Sequence, residues 1–312
     1  MEIRQLKYFV RIVELGSLTR AAESLYIAQP ALSQQMSSLE KDLGVKLLSR
    51  SVRGVSVTQA GEAFYRQANT ILKQVENARL IVSSEHDHPS GMVSIGIPSS
   101  IANVLAVPLF SAVRKKYPDI LLEINETPSA FLDELVINGR IDIGLLFNFS
   151  RTKGLKLRKL IAESLYLVGQ YGSFATNDPV TLADACGYEI LTPSRTNSIR
   201  VQLEKALAAS GLDMIPVAEV NATPVIKKLA QQGEGFTILP WCAIDDELQN
   251  KTLQARLIVE PEIRRDVFIC VSETVPLSHA AGCVHQMMVD MVFDLIAQGK
   301  WKGVHPLSQA AA

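Results

Sequence analysis

AAESLYIAQPALSQQMSSLEKDLG, residues 21–44, sets a short small-residue helix against a second helix across a break that ends at Pro30. Ala21, Ala22 and Leu25, with Leu18 just ahead of them, make an apolar stripe whose alanines let a neighbouring helix come close. Tyr26, Ile27 and Ala28 leave room only for a tight connection. Pro30 then stands in the first turn of the next helix, where its missing N–H costs nothing. Leu32, Met36, Leu39 and Leu43 recur at i, i+4, i+7 and i+11, a core-facing stripe that Gly44 ends. The opposite face carries Gln29, Pro30, Ser33, Gln34 and Ser37, with Lys41 further along. A face meant only for water usually holds more Lys and Glu. Gln can pair bidentately with adenine N6 and N7, and Ser accepts or donates to either kind of base edge. Two helices, a tight turn and a polar N-terminal face are the parts of a helix-turn-helix. A solvated helix in a small bundle would have the same periodicity.

The flanks narrow the choice. Upstream, Leu6, Phe9, Val10 and Val13 form one stripe, so a helix is expected from Arg4 to about Leu15, ending near Gly16. Downstream, LLSRSVRGVSVT, residues 47–58, has apolar runs on either side of Arg50, Ser51, Arg53 and Gly54. It reads as a hairpin with a basic tip, a wing able to grip phosphate or probe the minor groove. Helix, turn, helix and basic wing in this order is a far rarer coincidence than any one part.

From Leu6 to Gly61 the chain closely and continuously resembles the LysR-type transcriptional regulators. The N-terminal half looks most like their nitrogen-assimilation-control branch. The resemblance implies that Gln29, Pro30, Ser33 and Gln34 face the major groove, that Arg50 and Arg53 serve the wing, and that the protein is bacterial. Many relatives have an arginine where this chain has Gln34, which shifts the expected base preference from guanine toward adenine.

Thr58 should cap the next helix, with Glu62 near its positive end. Phe64, Ala68, Ile71, Val75, Ala78 and Val82 follow at spacings of four and three, an a/d seam. Such a seam suits either a two-helix dimer interface or packing on the chain's own body, and the family resemblance implies the former. SSEHDHPSG, residues 83–91, is a polar exit and the best boundary in the chain.

Beyond it, MVSIGIP, ILLEINET and IDIGLLF are near-continuous apolar runs separated by helical stretches, the grammar of a buried parallel sheet. The grammar repeats after LYLVGQ, and DVFICVSE with a last helix over Ser278–Ala297 returns to the first half. Two doubly wound subdomains joined by crossing strands resemble periplasmic solute-binding proteins, and the family's effector domain has that fold. The expected class is therefore an α+β multidomain chain. Residues 1–58 form a winged helix-turn-helix, 59–90 a long dimerisation helix and hinge, and 91–312 the effector-binding part. Within that part, subdomain I takes 91–164 plus 268–300 and subdomain II takes 165–267.

Ligand in such a fold sits in the cleft at the C-terminal ends of the strands. Pro98, Ser99 and Ser100 open a helix there, an anion site in waiting. Thr127, Phe147 and Asn148 end the next two strands. From the other half come Pro193, Ser194, Thr196, Ser198, Asn221 and Thr223, with Phe236 and Ile238 as apolar wall. Each residue alone is equally well explained as a helix cap or turn; their convergence favours the cleft. No Lys or Arg is expected at these strand ends, and Arg195 and Arg200 are the nearest cations. A polar or mono-anionic effector is therefore favoured over a di-acid.

Composition supports this reading. The 312 residues are 47% hydrophobic and 20% charged, with a formal net charge of −1, but residues 1–66 hold nine Lys/Arg against six Asp/Glu. Cys186, Cys242, Cys270 and Cys283 show no CxxC spacing, which argues against a disulfide framework or zinc site and for a reducing compartment. His86, His88, His279, His285 and His305 lack metal-ligand spacing. No G-x-S-x-G, H-E-x-x-H or dinucleotide fingerprint occurs, so neither enzyme nor cofactor is expected. No apolar run reaches the length of a membrane helix, and no signal peptide opens the chain. The reading is a cytoplasmic DNA-binding regulator that works as a homodimer or homotetramer. Its expected partners are duplex DNA, a small effector and RNA polymerase. The alternatives are the same regulator without an inducer, or a solute-binding protein.

Overall fold

The computed structural model describes residues 1–51, 54–83, 88–148 and 153–306. The first helix, α1 (Ile3–Leu15), stops at Gly16, which adopts the left-handed φ of 60° that a side chain resists. Ser17 caps α2 (Leu18–Ser24) by accepting from the Arg20 amide. The third helix, α3 (Gln29–Leu43), has Pro30 in its first turn and ends at Gly44. Leu32, Met36 and Leu39 are buried as their spacing requires. Leu43, at the helix end, is exposed instead. Strands β1 (Leu48–Ser51) and β2 (Gly54–Val57) form the antiparallel hairpin, with Leu48 opposite Val57. The hairpin docks on the end of α1, where the Val55 amide donates to Gly16 O at 3.1 Å. A Cβ on Gly54 would meet that same oxygen at 2.9 Å, so only glycine fits the approach.

Helix α4 (Gln59–Ser83) begins with Thr58 Oγ1 accepting from the Gly61 amide. Its first turns belong to the N-terminal core. Ala68 is completely buried, Phe64 meets Phe9 edge-on at 5.2 Å between ring centroids, and Ile71 packs on the same cluster. Of the expected seam residues, Ala68 is therefore wholly enclosed within its own chain, while Phe64 and Ile71 pack on the same core and stay half-buried. Val75 is half-buried, while the side chains of Ala78 and Val82 lie outside the described residues.

The rest of the chain builds two sheets that share one strand. Strand β3 (Gly91–Ile97), helix α5 (Ser99–Lys116), strand β4 (Ile120–Glu126), helix α6 (Ser129–Ile137) and strand β5 (Ile143–Phe147) wind a parallel sheet. Strand β6 (Leu155–Gln170), 16 residues long, then runs out of it. The second half comprises β7 (Val180–Thr181), α7 (Leu182–Ala185), β8 (Ile190–Thr192), α8 (Ser198–Ser210), β9 (Ala218–Glu219), α9 (Thr223–Gln231) and β10 (Phe236–Pro240). A 3-10 turn (Trp241–Ala243), α10 (Asp245–Gln249) and β11 (Leu253–Val259) complete it. Strand β12 (Arg264–Ser272) returns antiparallel between β5 and β6, and begins ahead of the expected return at 268. The first part of β6 pairs with β12, the second with β10 and β11.

Helix α11 (His279–Ala297) closes the first sheet, and β13 (Val304–Pro306) pairs back on β6. Among the described residues α11 is, by length and composition, long and apolar enough to cross a membrane, although Gln286, Asp290 and Asp294 interrupt its apolar run. Its Ala281, Val284, Met288 and Val292 are buried in the first sheet's core, which accounts for that composition. A second, separate core holds Leu167, Val168, Ile190, Leu203 and Ile238.

Candidate functional sites

On α3 the buried stripe turns the neutral face outward. Gln29, Pro30, Gln34 and Ser37 are exposed, and Ser33 is half-buried. Ala28 and Ala31 are also exposed beside them, so the face offers amide groups and methyls with no charge in its first two turns. The Ser37 hydroxyl donates to Ser33 O at 3.0 Å, which leaves its oxygen as an acceptor. Arg53 lies outside the described residues, as does the side chain of Arg50, although the Arg50 backbone pairs with Val55 in the wing.

Glu40, which sequence reasoning passed over, joins α3 to the wing. Its Oε1 accepts from the amides of Leu47 and Leu48 at 2.9 and 3.1 Å, and its Oε2 meets Lys46 Nζ at 2.7 Å. Burial alone would raise this carboxyl's pKa, but the Lys46 hydrogen bond and the two amides outweigh it and hold the group below the usual glutamate range. Nothing local to the last turn of α3 marks this role, because its partners Lys46, Leu47 and Leu48 lie beyond Gly44.

Between the two sheets lies a cavity of about 480 Å³. Ser99, Ser100, Phe147, Thr196 and Thr223 line it as expected, together with Pro98, Ser194, Ser198 and Asn221. Helices α5, α6, α8 and α9 all begin at its wall, and α5, α6 and α9 have no side chain capping their first amides. Such amides suit an anion or a carbonyl oxygen. The Ser99 hydroxyl is already donated to Glu126, and Ser194 N is tied to Asn221 Oδ1 at 2.7 Å.

Five expected residues do not line the cavity. Thr127 bonds through its amide to Ile97 O, and the following residues Pro128–Phe131 form the wall instead. Asn148 closes the strand end by accepting the Asp266 amide at 2.8 Å. Pro193 lies off the wall that Ser194 supplies. Phe236 opens β10, at the end away from the cleft, and packs on Tyr188 and Phe174 at 4.6 and 5.4 Å. Leu239, further along that strand, takes the lining position, and Ile238 is buried in the second core.

The larger correction concerns charge. Arg265, on the returning strand, lines the cavity although its side chain is only 1% exposed. It lies directly across the ladder from Glu163, at the point where β6 leaves the first sheet for the second. Its Nε and Nη2 donate to Glu163 Oε2, its Nη2 also donates to Ser100 Oγ at 3.1 Å, and its guanidinium lies 3.6 Å from the Phe147 ring centroid. Glu163 Oε1 accepts from Trp301 Nε1 at 3.0 Å and from the Cys242 thiol at 2.9 Å. Burial and the neighbouring carboxylate push that thiol's pKa well above its ordinary value, so Cys242 stays a hydrogen-bond donor. Arg195 is exposed beside Glu204, and Arg200 is held by Thr192 and Glu204. The partner glutamate stands about a hundred residues from Arg265 in sequence, so no local pattern marked the pair.

A winged helix-turn-helix joined to a two-sheet unit with a cavity between the sheets is the architecture of a DNA-binding regulator with an effector-binding domain. Residues 3–62 match the bacterial regulatory helix-turn-helix proteins of the lysR family, and residues 86–292 match the LysR substrate binding domain. The chain is 37% identical over 241 residues to the nitrogen assimilation regulatory protein nac of Escherichia coli K12, covering 77% of this chain and 78% of that protein. With its counterpart from Klebsiella aerogenes it is 32% identical over 293 residues, covering 94% and 95%. A full-length OxyR variant from Pseudomonas aeruginosa shares the fold at a TM-score of 0.73 and 21% identity, covering 93% of this chain and 97% of that one. The chain belongs to the LysR family of DNA-binding transcriptional regulators, and its likeness to the nitrogen-assimilation branch extends well beyond the N-terminal half.

Proposed function

We propose that the protein reads operator DNA in the major groove through Gln29, Pro30, Ser33, Gln34 and Ser37, with Arg50 and Arg53 of the wing on the backbone, and performs no catalysis. The exposed, uncharged start of α3 carries this reading, since it offers base-edge donors and acceptors where a solvated helix would offer charge. In this reading residues 1–58 bind DNA, 59–90 join the two parts, and 91–312 hold a small polar or mono-anionic effector between the sheets. The protein works in the cytoplasm as a homo-oligomer beside RNA polymerase. Ligand biases DNA binding only by favouring one arrangement of the two sheets over another.

Ser33→Ala combined with Gln34→Ala tests the reading face. Affinity for a duplex selected by the parent protein should fall roughly tenfold or more, as the loss of about one bidentate pair implies. Affinity for a random duplex should hardly change. Equal losses on both duplexes would refute the assignment of these residues as base readers.

A second reading, a regulator without an inducer, draws on Arg265. It is the one charged residue among the described lining residues, and Glu163 already neutralises it. A melting shift across a metabolite panel separates the two: a rise with one class of small anion supports an effector, and a flat response supports the second reading.

A further inference from the structure

Tyr26 breaks a conformational preference for no internal benefit. Helix α2 ends in a paired hydrogen-bond motif: the Ile27 amide donates to Ala22 O and the Tyr26 amide to Glu23 O, both at 3.1 Å. The residue in the middle of that motif must turn left-handed, and Tyr26 has φ 55°. Glycine normally fills this place, because any Cβ is strained there. A tyrosine could be accepted if its ring were packed in the core, but Tyr26 is 95% exposed, and its hydroxyl meets no described residue. Strain that persists with no packing in return points to a role outside the fold.

The location narrows that role. Tyr26 stands in the turn just before Gln29 and Pro30, where α3 begins. When the start of a reading helix enters the major groove and the preceding helix crosses the backbone, the turn between them stands over the groove's edge at the height of the phosphates. A phenol hydroxyl is a neutral donor suited to a phosphate oxygen. We propose that Tyr26 is a DNA-backbone contact, its hydroxyl donating to a phosphodiester oxygen at the edge of the groove that α3 occupies. This rests on the reading of α3 as the base-contacting helix.

The test compares full-length parent, Tyr26→Phe, Tyr26→Gly and Gln34→Ala proteins. The probes are a duplex selected from a random pool by the parent and a random duplex of equal length. Tyr26→Phe should bind both duplexes roughly three- to tenfold more weakly, the loss of one exposed hydrogen bond. Tyr26→Gly should bind at least as weakly as Tyr26→Phe while melting at or above the parent's midpoint, since its strain is gone. Because the lost donor is uncharged, the dependence of affinity on salt should keep the parent's slope, unlike the loss of a Lys or Arg contact. Parent-like binding by Tyr26→Phe would overturn the proposal, as would lost affinity matched by a lower melting midpoint in both variants. A Gln34→Ala protein that loses affinity equally on both duplexes would instead count against the reading of α3, whatever the Tyr26 variants do.

Discussion

Two glutamates carry pH dependence that their neighbours impose. Arg264 is the largest influence on Glu262; against the opposing effect of burial, it joins Ser164 and His305 in holding that carboxyl down to about 2. Glu40 is depressed by Lys46 and the amides of Leu48 and Leu47. A carboxyl whose pKa is lower in the folded chain adds stability above its unfolded value, and loses it as pH falls through the folded value. The melting midpoint should therefore hold from neutral pH down to the ordinary glutamate value of 4.5 and fall between there and about 2, with Glu262→Gln flattening that fall. Glu40→Ala leaves two amides without their acceptor and should cost the N-terminal module about 1–3 kcal/mol in denaturant titration. Arg265 and Glu163 set a sharper case. Removing one member of a buried pair strands the other, so Arg265→Met alone should destabilise by roughly 3–5 kcal/mol, and Arg265→Met with Glu163→Gln, which removes the stranded charge but keeps an oxygen for Trp301 and Cys242, should recover most of it. If the double variant were as unstable as the sum of both single changes, the two side chains would not be acting as a pair.

Among the elements, α4 shows how a heptad pattern can be divided between two uses. Phe64, Ala68 and Ile71 follow the same spacing as Val75, yet they pack on α1. Ala68→Leu should therefore overpack the α1–α4 contact and destabilise the N-terminal module by about 1–3 kcal/mol, whatever the protein concentration. A dimer seam would give a concentration-dependent midpoint instead. The wing is similarly tied to its own module, because Gly54 lies against Gly16 O and Glu40 accepts the amides at the start of β1.

Across the whole molecule, α6 spans the distance between the cleft and the DNA-binding arm. Its first residues, Ser129, Ala130 and Phe131, line the cavity. Just beyond its other end, Gly139 O accepts from Lys73 of α4 at 3.5 Å, and Lys73 forms an ion pair with Asp142. Asp142 is anchored in turn by the Ser94 amide at 3.0 Å. A shift of α6 at the cavity would thus reach α4 through a short rigid helix. Asp142→Ala should raise hydrogen exchange in the α4 turns around Lys73 and leave α1 to α3 unchanged; unaltered exchange in α4 would mean the contact does not hold the arm.

The sequence by itself determined the elements and their faces, because periodicity, caps and turn residues act within a few positions of one another. Leu32, Met36 and Leu39 against Gln29 and Gln34, the glycine stops at 16 and 44, and the two rounds of strand and helix were all legible in this way. It also located the cleft, since strand ends meet helix starts wherever this grammar is followed, and Ser99, Ser100, Phe147, Thr196 and Thr223 line it. Tertiary structure decided which chemistry sits at the cleft's floor and which half of the α4 stripe is spent internally. Glu163 with Arg265, Lys73 with Asp142, and Ala68 under α1 depend on partners far away in the chain. A side chain's local pattern shows the face it occupies, but its charge balance and its packing partner exist only once distant strands lie side by side.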